Sequence, residues 1–211
     1  MASRKKHKGL LITFEGIDGC GKSTQLDLTF KYLKARGKSV VRLREPGSTP
    51  SAERIRRLLL DKRVEIGDLA ELLLYEAARA EVTEREIIPN LKKGRIVLCD
   101  RFFDSTTAYQ GHGRKLDLKM VKALHRIAVS GHVPDLTLVF DVTLKVAAMR
   151  RGKNPDRLES QPTAFHRRVR QGFLKVAKAE PRRVKVIDGR PSAEVVFEQV
   201  RTYIDRKIGR P

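Results

Sequence analysis

The segment LLITFEGIDGCGKST, residues 10–24, decides the fold. A six-residue run with β character passes straight into a loop carrying Gly16, Gly19 and Gly21. The loop closes on Lys22, Ser23 and Thr24, after which Leu26, Phe30 and Leu33 recur at helical spacing. Gly16, Gly21, Lys22 and Ser23 fill the pattern G-x-x-x-x-G-K-[ST] between a strand and a helix, the context that motif requires. Glycines let backbone N–H groups turn inward onto phosphate oxygens. The helix N-terminus adds partial positive charge. A lysine reaches the β- and γ-phosphates, and a hydroxyl serves magnesium. Residues Gly16, Ile17, Asp18, Gly19, Cys20, Gly21, Lys22, Ser23 and Thr24 are therefore expected to surround the phosphates of a nucleoside triphosphate.

Outward from this loop, similar apolar runs return at SVVRLR (39–44), RIVLCD (95–100), LTLVFDV (136–142) and VKVID (184–188). Nearly continuous apolar runs suit parallel strands buried on both faces. Helical patterns fill the gaps. Gly37 is a C-terminal stop for the first helix. A longer helix begins near Leu69 and runs toward Pro89, and Ser192 is an N-cap for a last helix carrying Val196, Val200 and Ile208. Alternating strand and helix predict an α/β fold: a five-stranded, doubly wound parallel sheet of the P-loop NTPase type, flanked by helices. The expected organisation is a basic tail (1–9) and one domain (10–211) with a lid near 145–160.

A phosphate loop alone serves GTPases, motors and kinases. No N-K-x-D base reader for guanine is present. The third strand run ends in Asp100 followed by Arg101, where a motor usually carries a second acid to activate water. Asp100 with Ser23 is the expected magnesium pair. A guanidinium beside bound phosphates grips their oxygens bidentately, which favours transfer between phosphates over hydrolysis.

Several motifs then coincide: FEGIDGCGKST, REPGSTP, YEAAR, DRFFDSTTAYQG, PDLTLVFDV and RRGKNPDRLE, in this order along residues 10–208. In them the chain resembles the bacterial thymidylate kinases. The resemblance implies transfer of phosphate from ATP to dTMP with Mg2+, giving dTDP for dTTP synthesis, in a cytoplasmic homodimer. It implies that Asp18 contacts the acceptor's sugar and reacting phosphate, and that Glu45 and Pro46 shape its pocket. Tyr75 would stack on thymine, and Arg79 would read the base's carbonyl edge. Arg101 would grip the dTMP phosphate, with Thr106, Tyr109 and Gln110 completing the pocket; bulk at Tyr109 would disfavour a 2′-hydroxyl. Some relatives carry an arginine inside the phosphate loop. Here that position is Gly19, so catalytic charge is expected from lid arginines, Arg151 and Arg157 foremost, with Arg150 and Lys153 nearby. The expected catalytic set is Asp18, Lys22, Arg101, Arg151 and Arg157. Two departures stand out: Phe102 replaces the usual tyrosine of DRY, and Ser48 the second glycine of REPGGT. Kinases of other nucleoside monophosphates, and a basic P-loop NTPase acting on nucleic acid, are the competing readings.

Forty-five Lys and Arg against 25 Asp and Glu give a net charge of +20, a surface that attracts polyanions nonspecifically. No apolar run approaches membrane-spanning length. Cys20 and Cys99 sit in unrelated contexts and are expected as reduced thiols.

Overall fold

The computed structural model describes residues 8–152 and 155–209. Five strands, β1 (Leu10–Glu15), β2 (Val40–Arg44), β3 (Ile96–Asp100), β4 (Leu136–Asp141) and β5 (Val184–Asp188), form one parallel sheet in the order β2-β3-β1-β4-β5. Central β1 has five of its six residues buried, as a strand covered on both faces must. Three of the strands start or stop one residue inside the apolar runs of the sequence: β2 at Val40, β3 at Ile96 and β4 at Asp141.

The helices are α1 (Lys22–Ala35), α2 (Pro50–Leu60), α3 (Asp68–Val82), α4 (Ile88–Lys92), α5 (Phe103–Thr106), α6 (Leu118–Ala128), α7 (Leu144–Arg150), α8 (Thr163–Ala179) and α9 (Ala193–Ile208). Helix α1 ends at Gly37 in the left-handed region, with Lys38 N–H donating to Leu33 and Gly37 N–H to Lys34. Ser192 caps α9, accepting from the Val195 N–H, and Val196, Val200 and Ile204 face the core. The helix expected to run toward Pro89 does so without a break, as three consecutive helical segments. After α3 comes a π-helical turn, Thr83–Ile87, and then α4, which holds Pro89 in its first turn. The π-helical turn just before it lets the helix pass a residue that has no N–H to donate.

Two clusters make the core. One packs Ile12, Phe14, Leu138 and Phe140 against α1, α8 and α9; the other packs Leu11, Val97, Cys99 and Phe102 against Ala78, Val82 and Leu91. Phe102 is fully buried here, so a tyrosine would need a partner for its hydroxyl at this depth. Ser48 adopts φ 70, the left-handed region that glycine enters freely. Its hydroxyl oxygen accepts from the Arg44 N–H at 2.8 Å, and the hydroxyl faces the Arg44 carbonyl at 3.1 Å, so the side chain holds the turn a glycine would leave free. Cys20 and Cys99 are free and buried.

Candidate active site

The strands' carboxyl ends form the crevice where doubly wound sheets bind ligands, and β1 delivers the phosphate loop into it. Gly16 and Gly19 both have positive φ. A Cβ on Gly16 would lie 2.6 Å from the Phe140 carbonyl oxygen. One on Gly19 would lie 2.3 Å from the Ala147 carbonyl oxygen and 3.1 Å from Arg151 Cγ. The loop can therefore nest against β4 and α7 only with glycine at these positions. At Gly19, the space a side chain would need is filled by the Ala147 carbonyl and, beside it, by the stem of Arg151.

Asp18 is the meeting point. Lys22 Nζ donates to its Oδ1 at 3.1 Å, Arg101 donates to the same oxygen, and the Tyr109 hydroxyl donates to Oδ2 at 3.0 Å. Burial pushes the Asp18 carboxyl up, but Arg101 and Lys22 overcome it and hold the group well below the carboxylate range. Arg101 has φ 70, uncommon outside glycine and of the kind that clusters at functional sites. Its guanidinium also donates to the Gly16 carbonyl and the Ser105 hydroxyl and lies over the Tyr109 ring. Beneath it, Glu15 accepts from the Phe102 N–H at 2.7 Å and from the Ser105 hydroxyl. Burial, with the Asp104 charge adding to it, pushes Glu15 up to about 8.

On one side of Asp18 lies a cavity that brings together every residue expected to hold the acceptor: Glu45, Pro46, Tyr75, Arg79, Arg101, Thr106, Tyr109 and Gln110. Tyr75 and Arg79 share this wall because four residues on α3 make about one turn. Arg79 is fully buried and heavily engaged. It donates to Glu45 at 2.8 Å, to Glu76 at 2.8 Å and to Thr106 at 2.9 Å. Burial works against its charge, but Glu76 and Glu45 more than compensate and raise its pKa. Most of its five donors thus organise the wall, which the sequence did not foretell. Arg56, whose Nη1 donates to the Pro46 carbonyl at 3.0 Å, also lines the cavity and was missed. The same holds for Asp156 and Leu158, which bring the segment after α7 over it.

On the other side, Ser23 donates to Asp100 at 2.6 Å. A hydroxyl and a carboxylate are hard oxygen donors. Together they fit magnesium, which keeps several waters and takes its remaining ligands from phosphate. Among the described residues no group of three or more His, Cys, Asp or Glu could cage a metal by itself. Beyond the loop, Cys20, Gly21, Thr24, Gln25, Arg150 and Ser192 line a further cleft. Arg150 is fixed at its edge by the Gly189 and Arg190 carbonyls.

The three arginines expected to act as a lid group are therefore separated. Arg150 faces that outer cleft and Arg151 lies on the phosphate loop. Arg157 turns toward α2 and α3, donating to the Leu59 carbonyl at 2.8 Å and lying 2.6 Å from Glu71. Lys153 lies outside the described residues, as do residues 1–7 of the tail. Glu71 is the clearest omission of the sequence reading. It is fully buried and accepts from Gln110 at 2.8 Å and from Arg114 at 3.2 and 3.0 Å. Arg114 donates in turn to Gln161 at 2.9 Å. Burial alone would raise the Glu71 carboxyl; the donors from Arg114 and Gln110 and the charges of Arg114 and Arg157 bring it below its ordinary value. One carboxylate thus ties a cavity residue, Gln110, to the segment that closes the cavity.

The family model described as thymidylate kinase matches residues 14–200. The chain is 47% identical over 200 residues to a thymidylate kinase of Gloeobacter violaceus, covering 93% of this chain and 94% of that protein. With a thymidylate kinase of Chlorobaculum tepidum it shares 45% over 207 residues, covering 93% and 97%. The crystal structure of thymidylate kinase from Ehrlichia chaffeensis is similar at a TM-score of 0.77 and 36% identity, over 93% of this chain and 98% of that one.

Proposed function

The chain belongs to the thymidylate kinase family, and on that premise we propose that it transfers the γ-phosphoryl group of ATP to dTMP, with magnesium at Ser23 and Asp100. The observation that carries this reading is the meeting at Asp18. Lys22, from the donor's phosphate loop, and Arg101, from the wall of the acceptor cavity, converge on one carboxylate. Donor and acceptor phosphates therefore meet over a shared pair of cations.

The chemistry asks little of the protein covalently. A phosphate monoester is largely dianionic near pH 7, its second pKa being about 6. Its oxygen attacks without a general base, and Asp18, held as an anion by its donors, is not one. Its part is to position Lys22 and Arg101. Loop amides and Lys22 hold the donor phosphates, while Arg101 and Arg56 hold the acceptor phosphate. Magnesium, when bound, neutralises and orients the donor phosphates. Arg151, whose stem lies beside Gly19, supplies the charge that other phosphate loops take from an arginine of their own. Arg157 is anchored on Glu71 and acts by closing the acceptor cavity. Tyr75 and Gln110 face the base, with Arg79 behind them.

The proposed acceptor site is a cavity lined on one side by Asp156 and Leu158, which suits one nucleotide; a groove for a strand would run on past it. Exposed Leu58 on α2 and exposed Leu69 and Leu73 on α3, two helices packed together, support a homodimer through that face. No helix among the described residues is long and apolar enough to cross a membrane. The test is ATP consumption with dTMP, dUMP, dCMP, dGMP or UMP as acceptor. dTMP should be fastest. A faster rate with UMP or dCMP rejects the assigned acceptor, and consumption stimulated by DNA or RNA alone rejects the kinase reading.

A further inference from the structure

A second cleft, of about 700 Å³, lies away from the phosphate loop between α6 and α8. Its floor is apolar, formed by Phe103, Leu118, Val129 and Val176. Its rim carries Lys122 and Arg126 from α6 and Lys175 from α8, all exposed. The two acids at its edge, Asp104 and Glu180, are both engaged by Arg183, Asp104 through hydrogen bonds of 2.6 and 2.9 Å and Glu180 through one of 2.9 Å. One guanidinium offsets one of these two acids, so the three rim cations leave the cleft a net positive charge of about two. The field is felt inside the cleft: burial pushes the His112 imidazole down, and Lys175 and Lys122 push it further.

At the bottom of the cleft begins a buried polar chain. Thr107 Oγ1 lies 3.0 Å from His125 Nε2, and His125 Nδ1 lies 2.7 Å from Glu76. Glu76 accepts from Arg79, which also donates to Glu45 and Thr106. Thr107 and His125 line this cleft, whereas Arg79, Glu45 and Thr106 line the acceptor cavity. Every member is buried. Glu76 Oε2 and Glu45 Oε1 are buried without a hydrogen-bond partner. The chain therefore has acceptors to spare, and a displaced His125 or Arg79 can be met by rotation of either carboxylate.

We propose that this cleft is a second small-molecule site, for an apolar or aromatic body carrying a phosphate, carboxylate or sulfonate, and that it communicates with the acceptor cavity through Thr107, His125, Glu76 and Arg79. The apolar floor takes the body, the three rim cations take the anionic group, and a ligand seated against Thr107 presses on the first link.

The probe is anilinonaphthalene sulfonate, an aromatic anion whose fluorescence rises on binding, titrated into the full chain. Saturable binding at one site per chain is expected, persisting when dTMP and ATP are both saturating. The double variant Lys122→Glu/Lys175→Glu should bind at least about tenfold more weakly while keeping its kcat and melting temperature. Competitive displacement of the probe, its apparent Kd rising without limit as either nucleotide is raised, or binding untouched by the double charge reversal, overturns the site. Communication is read by reciprocity, since two linked sites change each other's affinity by one common factor. Saturating probe should change the dTMP Kd by about threefold or more, and dTMP should change the probe's Kd equally. Thr107→Val, which keeps side-chain volume, should bring that factor to one. A dTMP Kd unmoved by the probe, or a factor unmoved by Thr107→Val, overturns the communication.

Discussion

The two ends of the active site are built in opposite ways. The donor end of the proposed site is one continuous stretch: a strand, its loop and the first turn of α1 carry Gly16 through Thr24 in succession. The acceptor end is assembled from distant side chains. Arg79 meets Glu45 across 34 positions and Thr106 across 27, and Glu71 meets Gln110 and Arg114 across 39 and 43. A continuous loop borrows its shape from the sheet. An assembly of buried ion pairs is itself part of what holds the fold. Substitutions at the donor end should therefore cost catalysis and leave stability alone, whereas those at the acceptor end should cost both.

The sharpest form of this contrast sets Lys22→Ala beside Arg79→Ala. Lys22 is buried but makes one ion pair, to an Asp18 that Arg101 and Tyr109 go on holding when it is gone, and on the proposed function its charge is needed where phosphoryl charge develops. Its loss should lower kcat by about 10²–10³-fold or more, with the melting temperature nearly unchanged. Arg79 lies between two buried carboxylates, and breaking such a pair by removing one partner costs about 3–5 kcal/mol. In a domain of this size that is a fall in melting temperature of roughly 10 °C, together with weaker dTMP binding. A stable Arg79→Ala protein would mean that the acceptor end is held by something other than its ion pairs, and the contrast would fail.

Glu71→Gln probes the same end more gently, since the amide keeps the shape and one acceptor but loses the charge beneath Arg114 and Arg157. Hydrogen bonds to charged groups contribute about 1.5–3 kcal/mol each. A loss of roughly tenfold in kcat/KM for dTMP is expected, with KM for ATP little changed. The split between the two substrates is the informative reading. Equal losses for both would show that Arg157 closes over the whole site and not over the acceptor alone.

The contrast also explains what could be read before the structure. A phosphate loop is legible because backbone geometry, glycine and helix terminus impose fixed spacing on neighbouring residues. Asp100 and Arg101 are legible because they end a strand whose apolar run is plain. Glu71 is not. On a helix it is one acid among 25 in the chain, and nothing local shows that Gln110, Arg114 and Arg157 fold onto it. Its neighbour Leu72, fully buried, gave the only hint, since an acid beside a core leucine on an inward face needs partners. The π-helical turns fell outside any periodic pattern too, and one of them, Thr107–Gly113, carries Tyr109 and Gln110; such turns are frequent at functional sites because they re-aim side chains. The divergence of Arg151 and Arg157 depends on the path of the chain after α7, which the motif RRGKNPDRLE does not encode by spacing.

The smallest expected effect lies at the seam between the two ends. Glu15 closes β1 just before the phosphate loop, and it holds Phe102 and Ser105, which carry Arg101 and the acceptor wall. It is fully buried, and its nearest partners are a backbone N–H and a hydroxyl. Burial and the Asp104 charge raise it from 4.5 to about 8. Between those values the folded chain binds a proton that the unfolded chain has lost, so the stability Glu15 contributes is fully present below pH 4.5 and is lost as pH rises through about 8. Glu45, raised to about 7 by burial against the opposing pull of Arg79, adds a slope of the same sign up to that pH. Between pH 7 and 8 a comparison with Glu15→Gln cancels the Glu45 slope and leaves that of Glu15. There wild type should lose about 1 kcal/mol of stability per pH unit, or roughly 2–4 °C of melting temperature, relative to Glu15→Gln. The amide introduced by that substitution keeps an acceptor for the Phe102 N–H and has no proton to lose. Melting curves of the two proteins at pH 6, 7, 8 and 9 decide the matter. Parallel curves through this interval would show that Glu15 is ionised throughout, held by its two hydrogen bonds and the Arg101 charge, and the seam would then belong electrostatically to the donor end.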